Sequence, residues 1–319
     1  EILSGLVGSE MCIRDRFMYL PWSSNLTNYF YNNISDLEKC ITKIGLNNEK
    51  VIVFISTGST EAMMFEIVSS HGRCKREILK KYKSPPFTTI DGITAILNDV
   101  KAFAPASVYT MIIGCHGMGW LPVYEMKVRS APHMKMHWEY QGVPLTRYFG
   151  GLTAEYQTDI KSLASGIANA GMKMEYILFD DCYMSSIEVA YELKDVTKYL
   201  IGSTSEMMAY GMPYAAIGEY LLGNPDYQSG CEEFYNFYST YEIMPCGTLA
   251  VTDCSELENM AAIIKSINSK YSFDKSLRGT IQRLDGYTPV IFYDFADYIT
   301  SLCNLSLIHI SEPTRPERI

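Results

Sequence analysis

The stretch "YTMIIGCHGMGWLP", residues 109–122, is apolar up to Cys115 and then presents His116, with Gly117, Gly119 and Trp120 beyond it. A continuous apolar run of this kind reads as a strand buried on both faces, which has no solvent side to be polar on. The strand spans 107–115 and hands His116 to a glycine-rich turn. A second stretch, "MEYILFDDCYMSSIEVAYEL" (174–193), repeats the plan: a strand over 174–181, then Cys182, then a helix over 185–193. In open α/β sheets, reactive groups collect just beyond the carboxyl ends of strands. Two such ends carrying an imidazole and a thiol are expected to face one another across a sheet.

Outward from these two stretches the chain alternates strands and helices. "FMYL" (17–20) is a short strand, and a helical pattern follows over 25–44. "VIVFIS" (51–56) is a buried strand, and "AMMFEIV" (62–68) reads as its hairpin return. Residues 90–103 form an amphipathic helix with Ile93, Ile96, Leu97 and Val100 on one face. A helix near 155–170, a strand at 198–203 and a loop with Gly211, Pro213 and Tyr214 complete the unit. From about 229 the pattern becomes aromatic-rich helix, one strand near 248–253 and more helix. Strands alternating with helices predict an α/β fold: a three-layer α/β/α sandwich with a mainly parallel central sheet and a small C-terminal helical piece. The division expected is a main domain over 17–228 and a smaller subdomain over 229–306.

Residues 9–16 ("SEMCIRDR") and 307–319 ("LIHISEPTRPERI") resemble translated sequencing-adapter read-through, so 1–16 and 307–319 are set apart from fold reasoning. Both natural termini are expected to be missing, and any targeting segment with the first. Removing five acids and four bases with those ends leaves 31 acids against 23 bases, a net of −8 where the whole chain has −9. That balance argues against general nucleic-acid binding, which needs basic surface to neutralise phosphates. It suits pockets that take cationic substrates. No apolar run approaches the roughly 18 residues of a membrane span.

The nine cysteines show no CxxC pair, so neither a zinc site nor a disulfide framework is indicated. Cys40, Cys74, Cys231, Cys246, Cys254 and Cys303 read as small hydrophobes, and Cys115, inside its strand, as a buried thiol. No GxxxxGK[ST] or HExxH motif occurs, and His133 and His137 come without an evident carboxylate ligand, so no metal site is assigned.

A histidine near a thiol can lower its pKa and supply the proton that a leaving amine needs. A glycine after that histidine lets a backbone N–H approach a developing oxyanion. Period-2 alternation turns Asp181 away from Cys182 and puts Asp180 on its side. There Asp180 either pairs with a substrate Arg or Lys or satisfies nearby backbone N–H groups. Glu206, on the loop after the next strand, is either a second acid for such a pocket or a solvated carboxylate.

"HGMGW" after an apolar strand, "ILFDDCYMSSIEVAYEL" and "SEMMAYGMPY" together resemble the clostripain family of cysteine peptidases, relatives of caspases, gingipains and legumain. The matching residues in order are Gly117, Asp180, Cys182, Glu188, Gly211, Pro213 and Tyr214. The resemblance covers roughly 17–300 and implies a caspase-like fold and a secreted or cell-surface endopeptidase acting on protein or peptide substrates after Arg or Lys. It implies Cys182 as nucleophile, His116 as general acid, and the backbone N–H groups of Gly117 and Cys182 as oxyanion hole. No third catalytic member is required. Where the family commonly has a small residue before the cysteine, this chain has Asp181. No cofactor is needed for the chemistry, although calcium is used by some members. Self-processing also follows by resemblance. The irregular segment 118–150 holds Lys127, Arg129, Lys135 and Arg147, with Lys127 and Arg129 the preferred self-cleavage positions. The alternative from a different class is a catalytically inactive member whose fold serves as a binding module.

Overall fold

The computed structural model describes residues 12–23, 25–121, 123, 154–287 and 290–303. Eight strands among them form one sheet: β1 Cys12–Leu20, β2 Val51–Gly58, β3 Glu61–Ser70, β4 Arg73–Lys83, β5 Ala106–Ile113, β6 Met174–Phe179, β7 Thr197–Gly202 and β8 Ala250–Asp253. Their spatial order is β4-β3-β2-β1-β5-β6-β7-β8. The five central strands run parallel, while β3, β4 and β8 are antiparallel additions at the margins.

The central strands are buried on both faces, and their residues alternate between two cores. Along β6, Met174, Ile177 and Phe179 join one cluster, whereas Tyr176 and Leu178 join the other. The first core is closed by helices α2 (Ile90–Phe103), α3 (Ile160–Asn169) and α4 (Ile187–Leu193). The second is closed by α1 (Thr27–Ile44), α5 (Tyr214–Leu221) and α6 (Tyr227–Ser239). This is the α/β/α sandwich, made by apolar helix stripes covering a sheet that has no polar face. Helices α7 (Leu257–Lys270) and α8 (Phe295–Cys303) follow β8.

Several expectations change at their boundaries. The first strand begins at Cys12 rather than Phe17, so residues 12–16, set apart as adapter-like, pair with β5 and β2. Within that stretch the Arg16 guanidinium is buried against Glu49 at 3.1 Å. The hairpin of β2 and β3 extends to a third strand, β4, which periodicity left unassigned. As an edge strand of mostly charged residues, β4 has few apolar positions to alternate. The loop expected through Tyr214 instead turns into α5 there. The C-terminal piece contributes β8 to the same sheet through its pairing with β7. Of the six cysteines read as small hydrophobes, Cys40 and Cys254 are buried, Cys74, Cys231 and Cys303 are half-buried, and Cys246 is exposed.

Candidate active site

Strands β5 and β6 stop at Ile113 and Phe179, earlier than the sequence pattern suggests, and these two residues are register partners. His116 lies three residues beyond the first and Cys182 three beyond the second, so parallel pairing carries both side chains out of the sheet at one level. The two exit segments stay together. Asp180 N–H donates to the Ile113 carbonyl at 2.8 Å. A Cβ placed on Gly117 would fall 2.2 Å from the Cys182 carbonyl oxygen and 2.9 Å from its nitrogen. Any side chain there would push the two backbones apart, which explains glycine at 117 by space alone.

Both side chains are buried, Cys182 at 0% and His116 at 1% exposure. The Met207 N–H donates to Cys182 Sγ at 3.1 Å. The thiol in turn donates to the Met207 carbonyl at 3.7 Å. His116 Nε2 lies 2.9 Å from Asn25 Oδ1, in the turn between β1 and α1. An amide oxygen accepts, so Nε2 carries a proton in this pairing, and the contact fixes the ring's orientation.

The two acids before Cys182 point to opposite faces. Asp181 accepts from Cys115 N–H at 2.5 Å and lies 3.4 Å from Cys115 Sγ, on the face of the first core. Asp180 accepts from Met212 N–H at 2.8 Å and from Tyr214 O–H at 3.0 Å, on the face that also holds Cys182. Its carboxylate therefore ties the 207–214 loop to the end of β6. Glu206 accepts from the Tyr183 hydroxyl at 2.8 Å. Tyr183, next to Cys182, has φ of 60°, in the left-handed region that costs a residue with a Cβ. Its N–H donates to Ser205 at 3.0 Å, and its ring stacks on Phe292 at 4.5 Å and 7°. Burial first, then the neighbouring Tyr287, Glu206 and Cys182, hold the Tyr183 hydroxyl far above its ordinary pKa, so it remains a donor.

Sequence reasoning singled out His116, Gly117, Asp180, Cys182 and Glu206, and the structure gathers all five at one end of the central strands. It missed Asn25, Met207 and Phe292. Nothing local marks them, since each acts through a partner at least 25 residues away. The residues Lys127, Arg129, His133, Lys135, His137 and Arg147 lie outside the described part.

A model described as the clostripain family matches residues 18–308. The chain belongs to that family of cysteine peptidases. It is similar to the crystal structure of a secreted C11 cysteine protease from Bacteroides thetaiotaomicron called iotapain. The two are 60% identical over 92% of this chain and 80% of that one, with a TM-score of 0.84. It is also similar to an inactive zymogen C11 protease from Parabacteroides distasonis, at 25% identity, 91% and 77% coverage and a TM-score of 0.74. A secreted C11 cysteine protease from Bacteroides thetaiotaomicron in complex with an irreversible peptide inhibitor shares the fold, at 20% identity, 91% and 78% coverage and a TM-score of 0.72. A search of curated proteins gives no match. The clostripain-family chain is thus an enzyme acting on peptides, and the binding-module alternative falls away. Among its described residues no helix is long and apolar enough to cross a membrane.

Proposed function

We propose that this peptidase cuts after Lys or Arg through a Cys182–His116 dyad. The observation that carries the reading is the shared register of β5 and β6, which brings the two side chains out level while Gly117 lies against the Cys182 backbone. In the first step the thiol gives its proton to His116, and Sγ forms a bond to the scissile carbonyl carbon. The oxyanion then accepts from the Gly117 and Cys182 N–H groups. The C–N bond breaks as His116 passes the proton to the leaving amine. Water next attacks the thioester, leaving its proton with His116, which returns it to the departing sulfur. Asn25 keeps the imidazole oriented, and the Met207 N–H supports the thiolate.

The preference for a cation before the cut bond rests on Asp180 and Glu206. Asp180 lies on the same face as Cys182 and accepts from Met212 N–H and Tyr214 O–H, and its carboxylate is the charge that would meet a substrate guanidinium or ammonium. Glu206 sits one hydrogen bond from the residue after the nucleophile. A charge-assisted contact of this kind contributes on the order of 1.5–3 kcal/mol, about ten- to a hundredfold in rate. The deciding measurement is a peptide series differing only before the cut, read as kcat/KM. Lys and Arg should exceed norleucine and Ala at least tenfold, and equal rates would refute the preference. Asp180→Asn should depress basic substrates selectively if Asp180 meets the cation, and all substrates alike if it only holds the loop.

Self-processing at Lys127 or Arg129 belongs to the same reading. Purified wild type should become two chains by mass spectrometry while Cys182→Ala stays whole. Thiol and imidazole complete the chemistry without a metal. Calcium, which the family resemblance allows, has no step routed through it in this reading. A chelator should leave kcat unchanged. Secretion follows the relative at 60% identity, which is described as secreted, and the culture medium is where active enzyme should be found.

A further inference from the structure

A cavity of about 550 Å³ opens between the loop after Cys182 and the segment 273–298. Ser185 and Ser186, just past the nucleophile, line one side together with Thr204. Trp120, four residues past His116, stands at the mouth with 44% of its surface exposed. Leu284, Ile291 and Phe292 form the far wall, and Phe292 is the ring stacked on Tyr183. The cavity therefore adjoins the candidate site, with one aromatic ring, Phe292, between it and Tyr183.

We propose that this cavity is a substrate subsite for a bulky apolar side chain, aromatic or branched aliphatic, at a peptide position other than the one before the cut. The walls supply the chemistry: an indole, a phenyl ring and branched aliphatic groups exclude water and favour an apolar occupant. The cation beside the cavity is already engaged, since Arg278 donates to the Tyr293 hydroxyl at 2.5 Å and to the Val290 carbonyl at 2.7 Å. Ser185 Oγ is buried and finds no hydrogen-bond partner among the described residues. A peptide N–H or C=O entering beside it would satisfy that group. The volume exceeds one side chain and suits a side chain with its adjoining backbone. A peptide is the occupant the site calls for, because the lining residues Ser185 and Ser186 follow Cys182 by three and four positions, so a chain held for cutting there passes close to the cavity. The inference rests on the peptidase reading of Cys182 and not on the choice of Lys or Arg.

The test is a positional scan with the full chain and internally quenched peptides. The residue before the cut stays fixed, and each of the three positions upstream and two downstream carries Ala, Leu, Phe or Asp in turn. Burial of one such side chain should raise kcat/KM about ten- to a hundredfold for Phe or Leu over Ala at one position. Trp120→Ala and Ile291→Ala should each shrink that ratio to below about threefold, while Ile263→Ala on the exposed face of α7 should leave it unchanged. A wild-type scan flat to within about twofold at every position overturns the proposal whether or not the variants fold. A preference that both variants leave intact overturns it too and gives the cavity to another occupant. If a neutral residue proves best before the cut, the basic-residue reading fails and the same scan is run on that residue.

Discussion

The catalytic centre has two walls held by different means. The strand-end wall carries His116 and Cys182 on adjacent exits from a parallel sheet. Asp180 and Asp181 lock those exits by accepting hydrogen bonds from Met212, Tyr214 and Cys115. The facing wall, within 281–293, reaches the site from far along the chain. Leu284 N–H donates to Phe292 at 3.0 Å, one bridge joins Arg283 to Tyr293, and Asp285 accepts from the N–H groups of Tyr287, Ile291 and Phe292. Toward the strand ends it presents Phe292 stacked on Tyr183 and the Tyr287 hydroxyl, which donates to Met118 Sδ at 3.2 Å. The difference teaches where each property resides. The proposed bond-making pair leaves from paired strand ends, whereas the proposed recognition wall is held within itself by a short backbone pairing and the Asp285 carboxylate and meets the strand-end wall through rings, the kind of element that opens locally.

The largest effect that could break this contrast is at the sulfur. Cys182→Ala should lower kcat by a factor on the order of 10⁴–10⁶ with the fold intact, while Cys115→Ala, within the sheet exit, retains turnover. The opposite outcome in a paired peptide-hydrolysis assay would move the nucleophile to Cys115. Next is Gly117→Ala, whose Cβ would collide with the Cys182 carbonyl. Displacement of about 1 Å costs roughly a hundredfold in kcat, and the melting temperature should fall as well. Wild-type kcat in that variant would mean that the two exits are not rigidly paired.

Asn25→Ala tests orientation at a distance from the bond. It should cut kcat about tenfold or more with KM little changed, and Asn25→Gln should not restore it, because the longer side chain misplaces the oxygen. Asp285→Ala addresses the other wall: three backbone N–H groups lose their acceptor. We expect KM to rise by up to about tenfold with a smaller change in kcat, since a loosened recognition wall weakens binding more than chemistry. An equal fall in kcat would place this wall in the bond-making machinery.

The smallest effect is Tyr183→Phe, which removes one hydrogen bond worth about 0.5–1.5 kcal/mol. Tyr183 has its folded pKa raised from 10.0, chiefly by burial, so it keeps its proton when the unfolded chain would release it. Its contribution to stability is therefore full below pH 10 and is lost as the pH climbs beyond that value. Urea unfolding between pH 8 and 11 should show a shallower alkaline decline in Tyr183→Phe than in wild type.

The sequence was most legible where structure is local and apolar. "VIVFIS", "YTMII" and "MEYILF" became β2, β5 and β6 with small shifts of boundary, because a doubly buried strand must be apolar throughout. It was least legible at β4, where "RCKREILKKYK" alternates charge with charge at the sheet's edge. The site divides likewise. His116 and Cys182 could be read from their own neighbours, but the Asp180 bonds to Met212 and Tyr214 span 32 and 34 positions, and the Asn25–His116 contact spans 91.

By itself the sequence determined the strand cores and the helix faces and singled out the two side chains proposed to react, because periodicity and residue chemistry act over a few neighbours. Tertiary structure alone decided that Ile113 and Phe179 share a register, that Asn25 and Met207 complete the pair, and that Phe292 closes over Tyr183. Those contacts join segments distant along the chain, and only the packing of two cores on one twisted sheet brings such segments within hydrogen-bonding or stacking reach.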